Sequence, residues 1–113
     1  MNRHGKLGRR GEDAAVRLLE ERGYVVLARN VRLPGGEIDV IGKDGDVIAF
    51  VEVKTRATGR FGSALAAVDA RKRRTLRALA ADWLQIAAPR ARARFDIVTI
   101  DGERAELHRG AFA

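Results

Sequence analysis

Cysteine is absent from the 113 residues. That removes disulfide frameworks, thiol nucleophiles and cysteine-built zinc sites together, and it suits a reducing compartment such as the cytoplasm. Long apolar runs are absent too: no stretch approaches the ~20 residues that a membrane span requires. Met1 to Arg10 is basic but lacks the apolar segment of a secretory signal. Only two prolines occur, and no repeat, Pro-rich linker or low-complexity tract divides the chain, so a single domain is expected. The two histidines, His4 and His108, are isolated near the ends and form no zinc or acid–base pair in the sequence.

What is present is positive charge. Lys and Arg number 22 against 15 acidic residues, a net charge of +7. Eighteen of those cations are Arg, and nineteen residues are Ala, a pattern that base composition alone can produce. The choice of Arg over Lys is therefore uninformative, but the sign of the excess is not. A positive field draws polyanions, which makes nucleic acid the leading partner.

Periodicity predicts a helix over Lys6–Arg22, with Leu7, Gly8, Gly11, Ala15, Leu18 and Leu19 on one face and Gly23 as its cap. A β-prone stretch from Tyr24 to Arg32 leads to the turn Pro34-Gly35-Gly36. Glu37–Gly42 and Val47–Lys54 read as a hairpin about the turn Lys43–Asp46. A second helix is predicted from an N-cap at Asp69 to about Ala88, with the stripe Leu76, Leu79, Ala80, Trp83 and Ala87. Trp83 belongs to that stripe and reads as core. Strands Arg94–Ile100 and Arg104–His108 complete the order α-β-β-β-α-β-β, an α/β mixed sheet flanked by helices.

Four acidic residues are out of place for surface charges. Strand alternation puts Glu37, Asp39 and Ile41 on one side of their strand, and Phe50, Glu52 and Lys54 on one side of theirs. A two- or four-residue turn brings Asp39 opposite Phe50 or Glu52, so two carboxylates and an ammonium converge amid apolar neighbours. Glu12 lies at the edge of the first helix's apolar stripe, where its carboxylate can reach over the sheet. Clustered carboxylates repel and are costly to desolvate without cations, and Lys54 neutralises only one. Mg²⁺ or Mn²⁺ is the usual remedy and serves phosphodiester hydrolysis. Each residue alone is better read as a solvated or structural charge, and it is their conjunction on a basic chain that points to a site. Asp96, between Phe95 and Ile97, reads as a structural pairing.

Together these residues carry a resemblance. Gly36-Glu37-Ile38-Asp39, twelve residues, then Glu52-Val53-Lys54 resembles the D…ExK signature of PD-(D/E)xK nucleases. More closely, Gly8 to Ala15, Gly36 to Ile41, Phe50 to Arg56, Phe61-Gly62 and Arg94-Phe95-Asp96 resemble a YraN-like family of bacterial proteins grouped with archaeal Holliday-junction resolvases. The resemblance spans about Gly5 to Leu107. It implies a restriction-endonuclease-like core over 1–113, with 1–5 and 110–113 as flexible ends. It also implies Asp39 and Glu52 as metal-binding acids, the Val53 carbonyl as a further ligand, Lys54 as the catalytic lysine and Glu12 as a metal-site glutamate from the first helix. Glu37 is auxiliary, assisting the metal or pairing with an arginine. Ile38 stands where the superfamily name has proline, a position that varies in related branches.

The expected activity is a metal-dependent endonuclease cutting DNA, with branched or junction DNA as the implied substrate. Two other readings stay open: a non-catalytic basic nucleic-acid-binding module, and a small protein-interaction subunit. Arg71, Lys72, Arg73, Arg74 and Arg77 open the second helix, where the helix dipole disfavours cations, so phosphate contact is one account of them. Arg9 and Arg10 form a second basic cluster, and Arg56 and Arg60 follow the ExK strand towards a substrate cleft. One site cuts one strand, so symmetric cutting calls for a homodimer.

Overall fold

The computed structural model describes residues 6–56, 66 and 68–113, with the side chains of 6–10 and 56 outside that description. The elements run α1 (Lys6–Glu21), β1 (Val25–Leu33), β2 (Gly36–Asp44), β3 (Val47–Arg56), α2 (Ala70–Ala87), β4 (Arg92–Asp101) and β5 (Arg104–Phe112). This is the α/β order expected from the sequence. The strands form one five-stranded sheet in chain order. Only β3 and β4 are parallel neighbours, because α2 carries the chain back across the sheet between them. Among the described residues no helix is long and apolar enough to cross a membrane.

Local chemistry sets the helix ends. Gly23 takes φ 90° behind α1, a left-handed conformation that costs glycine little. Asp69 caps α2, its carboxylate accepting the Lys72 N–H at 2.8 Å. The helices cover opposite faces of the sheet. On the α1 side, Ala15, Leu18 and Leu19 pack with Val40, Ala49, Val51, Val98 and Ile100. On the α2 side, Leu79 and Ala80 pack with Ile38, Ile41, Ile48 and Phe50, while Leu76 joins Val68 and Ile97. Each fully buried Leu or Ile contributes roughly 1.5–3 kcal/mol of transfer free energy. Trp83 is half-buried and packs against this core, edge-on to Phe50 at 5.8 Å, whereas Ala87 is exposed. Gly11 lets α1 lie close: a Cβ there would collide with Thr55 Oγ1 on β3.

The β2–β3 hairpin closes at Asp44↔Val47 about the two-residue turn Gly45-Asp46, with Gly45 at φ 60°. Pairing runs back as far as Val40↔Val51, and that register continued would set Asp39 opposite Glu52. Alternation along β2 then breaks. Ile38 and Ile41, three residues apart, both pack on the α2 side. Their β1 partners Val31 and Ala28 do the same, and between them Asn30 holds φ 52°. Asn tolerates that left-handed backbone better than most residues. One consequence corrects the sequence reading: Glu37 neighbours Ile38 across the pleat and does not share a face with Ile41.

A buried polar network ties the far side of the sheet together. Asp96, fully buried on β4, accepts from Tyr24 Oη at 2.5 Å, Arg94 Nε at 2.9 Å and Gly110 N at 2.9 Å. Arg94 Nη2 also donates to Tyr24 Oη at 2.7 Å and to Asp44 at 2.6 Å. Asp96 therefore has the structural role expected of it. The last strand is longer than its sequence pattern: β5 runs to Phe112, which stacks on Phe95 at 4.8 Å, so 110–112 are strand residues rather than a loose end. Residues 1–5 lie outside the described residues.

Candidate active site

Where β2 and β3 part beyond Val40↔Val51, two carboxylates meet. Asp39 is 4% exposed, and its Oδ2 accepts the backbone N–H of Val53 at 2.9 Å. Glu52 hydrogen-bonds to Asp39, and its carboxyl is pushed up to about 7 by burial, then by the Asp39 charge, with Lys72 opposing. Glu52 Oε1 is buried and accepts no hydrogen bond among the described residues. Lys54, half-buried, follows on the same side of β3 by strand alternation. Asp39 and Glu52 are thus brought together, and Lys54 lies on the same side of β3 as Glu52.

In the sequence Lys72 belongs to a basic run that can lean towards the site, with its direction not fixed. The Asp69 cap orients the first turn of α2 over this corner, and Lys72 Nζ stands 3.5 Å from Glu52 Oε2. The remaining acids take basic partners of their own. Glu12 is buried on α1, with Arg29 Nη2 at 3.8 Å, and Arg29 also bonds Asp13 at 2.7 Å. Arg29 pairs with Val40, next to Asp39 in the chain. Glu37 is buried against its cross-strand partner Arg32 at 3.4 Å, which is the arginine pairing foreseen for it.

The donor set fits a hard divalent cation. Two adjacent carboxylates, one with an oxygen that no hydrogen bond occupies, are what Mg²⁺ or Mn²⁺ takes alongside water. Among the described residues no three carboxylate or imidazole groups form a ready-made cage, so Asp39 and Glu52 would be the core of such a site.

Residues 11–100 match the family model described as uncharacterised protein family UPF0102. The chain belongs to the UPF0102 family. A UPF0102 protein of Desulfosudis oleivorans is 43% identical over 99% of this chain and 94% of its own length. One from Alkalilimnicola ehrlichii is 45% identical over 96% and 88%. A third, from a Parafrankia species, is 44% identical over 95% and 96%.

The matched span holds Glu12, Asp39, Glu52 and Lys54 and the whole basic helix face of this UPF0102 chain. On α2, Arg71, Arg74 and Arg77 are exposed. Arg73 is turned inward, its Nε donating to the Val68 carbonyl at 2.9 Å and its guanidinium lying over Phe112. Arg77 donates to the Ala113 carbonyl at 3.1 Å. The free face is thus narrower than the run of five implied. Arg60 lies outside the described residues, as do the side chains of Arg9, Arg10 and Arg56. Two pairings escape a reading of the sequence. Arg29 holds Glu12, for which the only signal is a cation on a strand facing a helix. Thr99 pairs with His108 at 3.0 Å, and no sequence signal marks it.

Proposed function

We propose that this protein is a metal-dependent endonuclease of the PD-(D/E)xK type, hydrolysing DNA phosphodiester bonds, with branched or junction DNA as its substrate class. The observation that carries the reading is the burial of Asp39 against Glu52 at the parting of β2 and β3, with Lys54 on the same side. A protein that only bound phosphate would gain nothing from two desolvated negative charges in its basic cleft.

Asp39 and Glu52 would hold the cation, with the Val53 carbonyl and Glu12 as the further ligands that the resemblance implies. When bound, Mg²⁺ or Mn²⁺ supplies Lewis-acid stabilisation of phosphate charge and a more acidic water. Lys54 contributes a fixed positive charge beside the phosphate and a donor to orient the attacking water. Arg71 and Arg74 extend the positive surface along α2 and contact the backbone beyond the cut. We place this activity in the cytoplasm, which the cysteine-free composition suits.

One observation favours a rival reading, a non-catalytic nucleic-acid binder. Glu12, Glu37 and Glu52 each have a basic side chain within 3.8 Å, as structural acids do. The deciding experiment incubates wild type, Glu52→Ala and Lys54→Ala with labelled linear, flapped and four-way-junction DNA, in Mn²⁺, Mg²⁺ or EDTA. Cutting that needs metal and is lost in both variants supports the nuclease. Binding by all three proteins without cutting on any substrate favours the binder.

A further inference from the structure

Two carboxylates buried side by side need positive charge whether or not a metal is present. Lys54 comes with the strand. Lys72 comes from elsewhere, and its geometry differs from that of the other cations near the site. Its backbone is fixed, because the Asp69 cap accepts its N–H at 2.8 Å. Its side chain is held at one point only among the described residues, 3.5 Å from Glu52 Oε2, and is about a third exposed, whereas the Glu52 side chain is 11% exposed. A long ammonium stem with water on one side swings readily. Arg94 shows the contrast: bonded to Asp44, Asp96 and Tyr24, it has nowhere to go.

We propose that Lys72 is the resident counter-ion of this site. It neutralises Glu52 while no divalent cation is bound, and it gives up that carboxylate when one binds. The displaced ammonium stays at the head of the exposed Arg71–Arg74 face, where it contacts the DNA phosphate. Metal and lysine compete for the same Glu52 oxygens, so vacating one is coupled to filling with the other. The inference rests on the reading of Asp39 and Glu52 as metal ligands.

The test measures Mn²⁺ affinity in the absence of DNA, by electron paramagnetic resonance of the free ion, for wild type, Lys72→Met, Lys72→Arg, Glu52→Gln and Arg90→Met. Arg90 is exposed beyond the other end of α2 and controls for net charge. Lys72→Met is expected to bind Mn²⁺ about fivefold more tightly than wild type, the effect of removing one weak competitor. Lys72→Arg and Arg90→Met stay near wild type, and Glu52→Gln loses the ion. The gain in melting temperature on adding Mn²⁺ is larger for Lys72→Met than for wild type. Unchanged or weaker binding by Lys72→Met, with Glu52→Gln still losing the ion, overturns the counter-ion and leaves the metal site standing. No binding by wild type overturns both.

Discussion

The N–H of Val53 donates to Asp39 Oδ2 at 2.9 Å, a side chain standing where a neighbouring strand would place a carbonyl. Asp39 therefore has two duties: it ends the β2–β3 ladder, and it supplies one of the two carboxylates of the site.

These duties separate by substitution. Asp39→Asn keeps an acceptor for Val53, so urea denaturation should show a loss within about 1 kcal/mol, while Mn²⁺ affinity and DNA cutting disappear. Asp39→Leu leaves the part-buried Val53 N–H without this acceptor and should cost about 1–3 kcal/mol. Equal stability in the two variants would show that the bond to Val53 contributes nothing.

Glu52 imposes a pH dependence on folding. Its carboxyl lies at about 7 in the fold against an ordinary 4.5, for reasons of burial first and Asp39 second. Between those values the folded chain holds a proton that the unfolded chain has released, so stability falls as pH rises through this window. At roughly 1.4 kcal/mol per unit, the whole loss comes to ~3–4 kcal/mol above pH 7. Glu52→Gln cannot ionise. Denaturation curves should show it near wild type at about pH 5 and more stable by about 2–3 kcal/mol at about pH 8, a gap that Mn²⁺ closes by stabilising wild type alone.

Tyr24 provides a test remote from the chemistry. Its hydroxyl donates to Asp96 and accepts from Arg94, and its ionisation is pushed up to about 12 by burial and then by Asp96. Tyr24→Phe should lower stability by about 1–3 kcal/mol, because Asp96, fully buried, loses one of its four donors. Mn²⁺ affinity should not change. A variant as stable as wild type would mean that water replaces the hydroxyl.

Arg71 and Arg74 report on phosphate contact. The double change Arg71→Ala/Arg74→Ala should weaken duplex binding similarly on unrelated sequences. It should also reduce the slope of log affinity against log salt by about 1 for each phosphate that is no longer neutralised. Mn²⁺ affinity is the control here, and a fall in it would mean that α2 had shifted.

Much of this is legible in the sequence because it is local. Asp69 before an apolar stripe marks a helix start, Gly45 marks a two-residue turn, and alternation from Val47 to Lys54 puts Glu52 and Lys54 together. The break at Asn30 and Asp39 is not legible, since nothing in either residue alone says that two strands will flip faces in step. Nor is the reach of Lys72, because periodicity gives the face of a helix but not its rotation over a sheet. The extension of β5 is hidden for a similar reason: Phe112 and Gly110 have their partners Phe95 and Asp96 on another strand.

The turn at Gly45-Asp46 has a reach beyond its size. Five paired positions, from Asp44↔Val47 to Val40↔Val51, lie between it and the site, a distance of about 17 Å along a strand. Over that distance the turn works as a counting device. A single inserted residue must either loop out locally or rotate every side chain of β3, carrying Glu52 from the α2 side to the α1 side. Two inserted residues bring it back. The chemistry of the acidic corner is thus set by the parity of a loop that touches none of it.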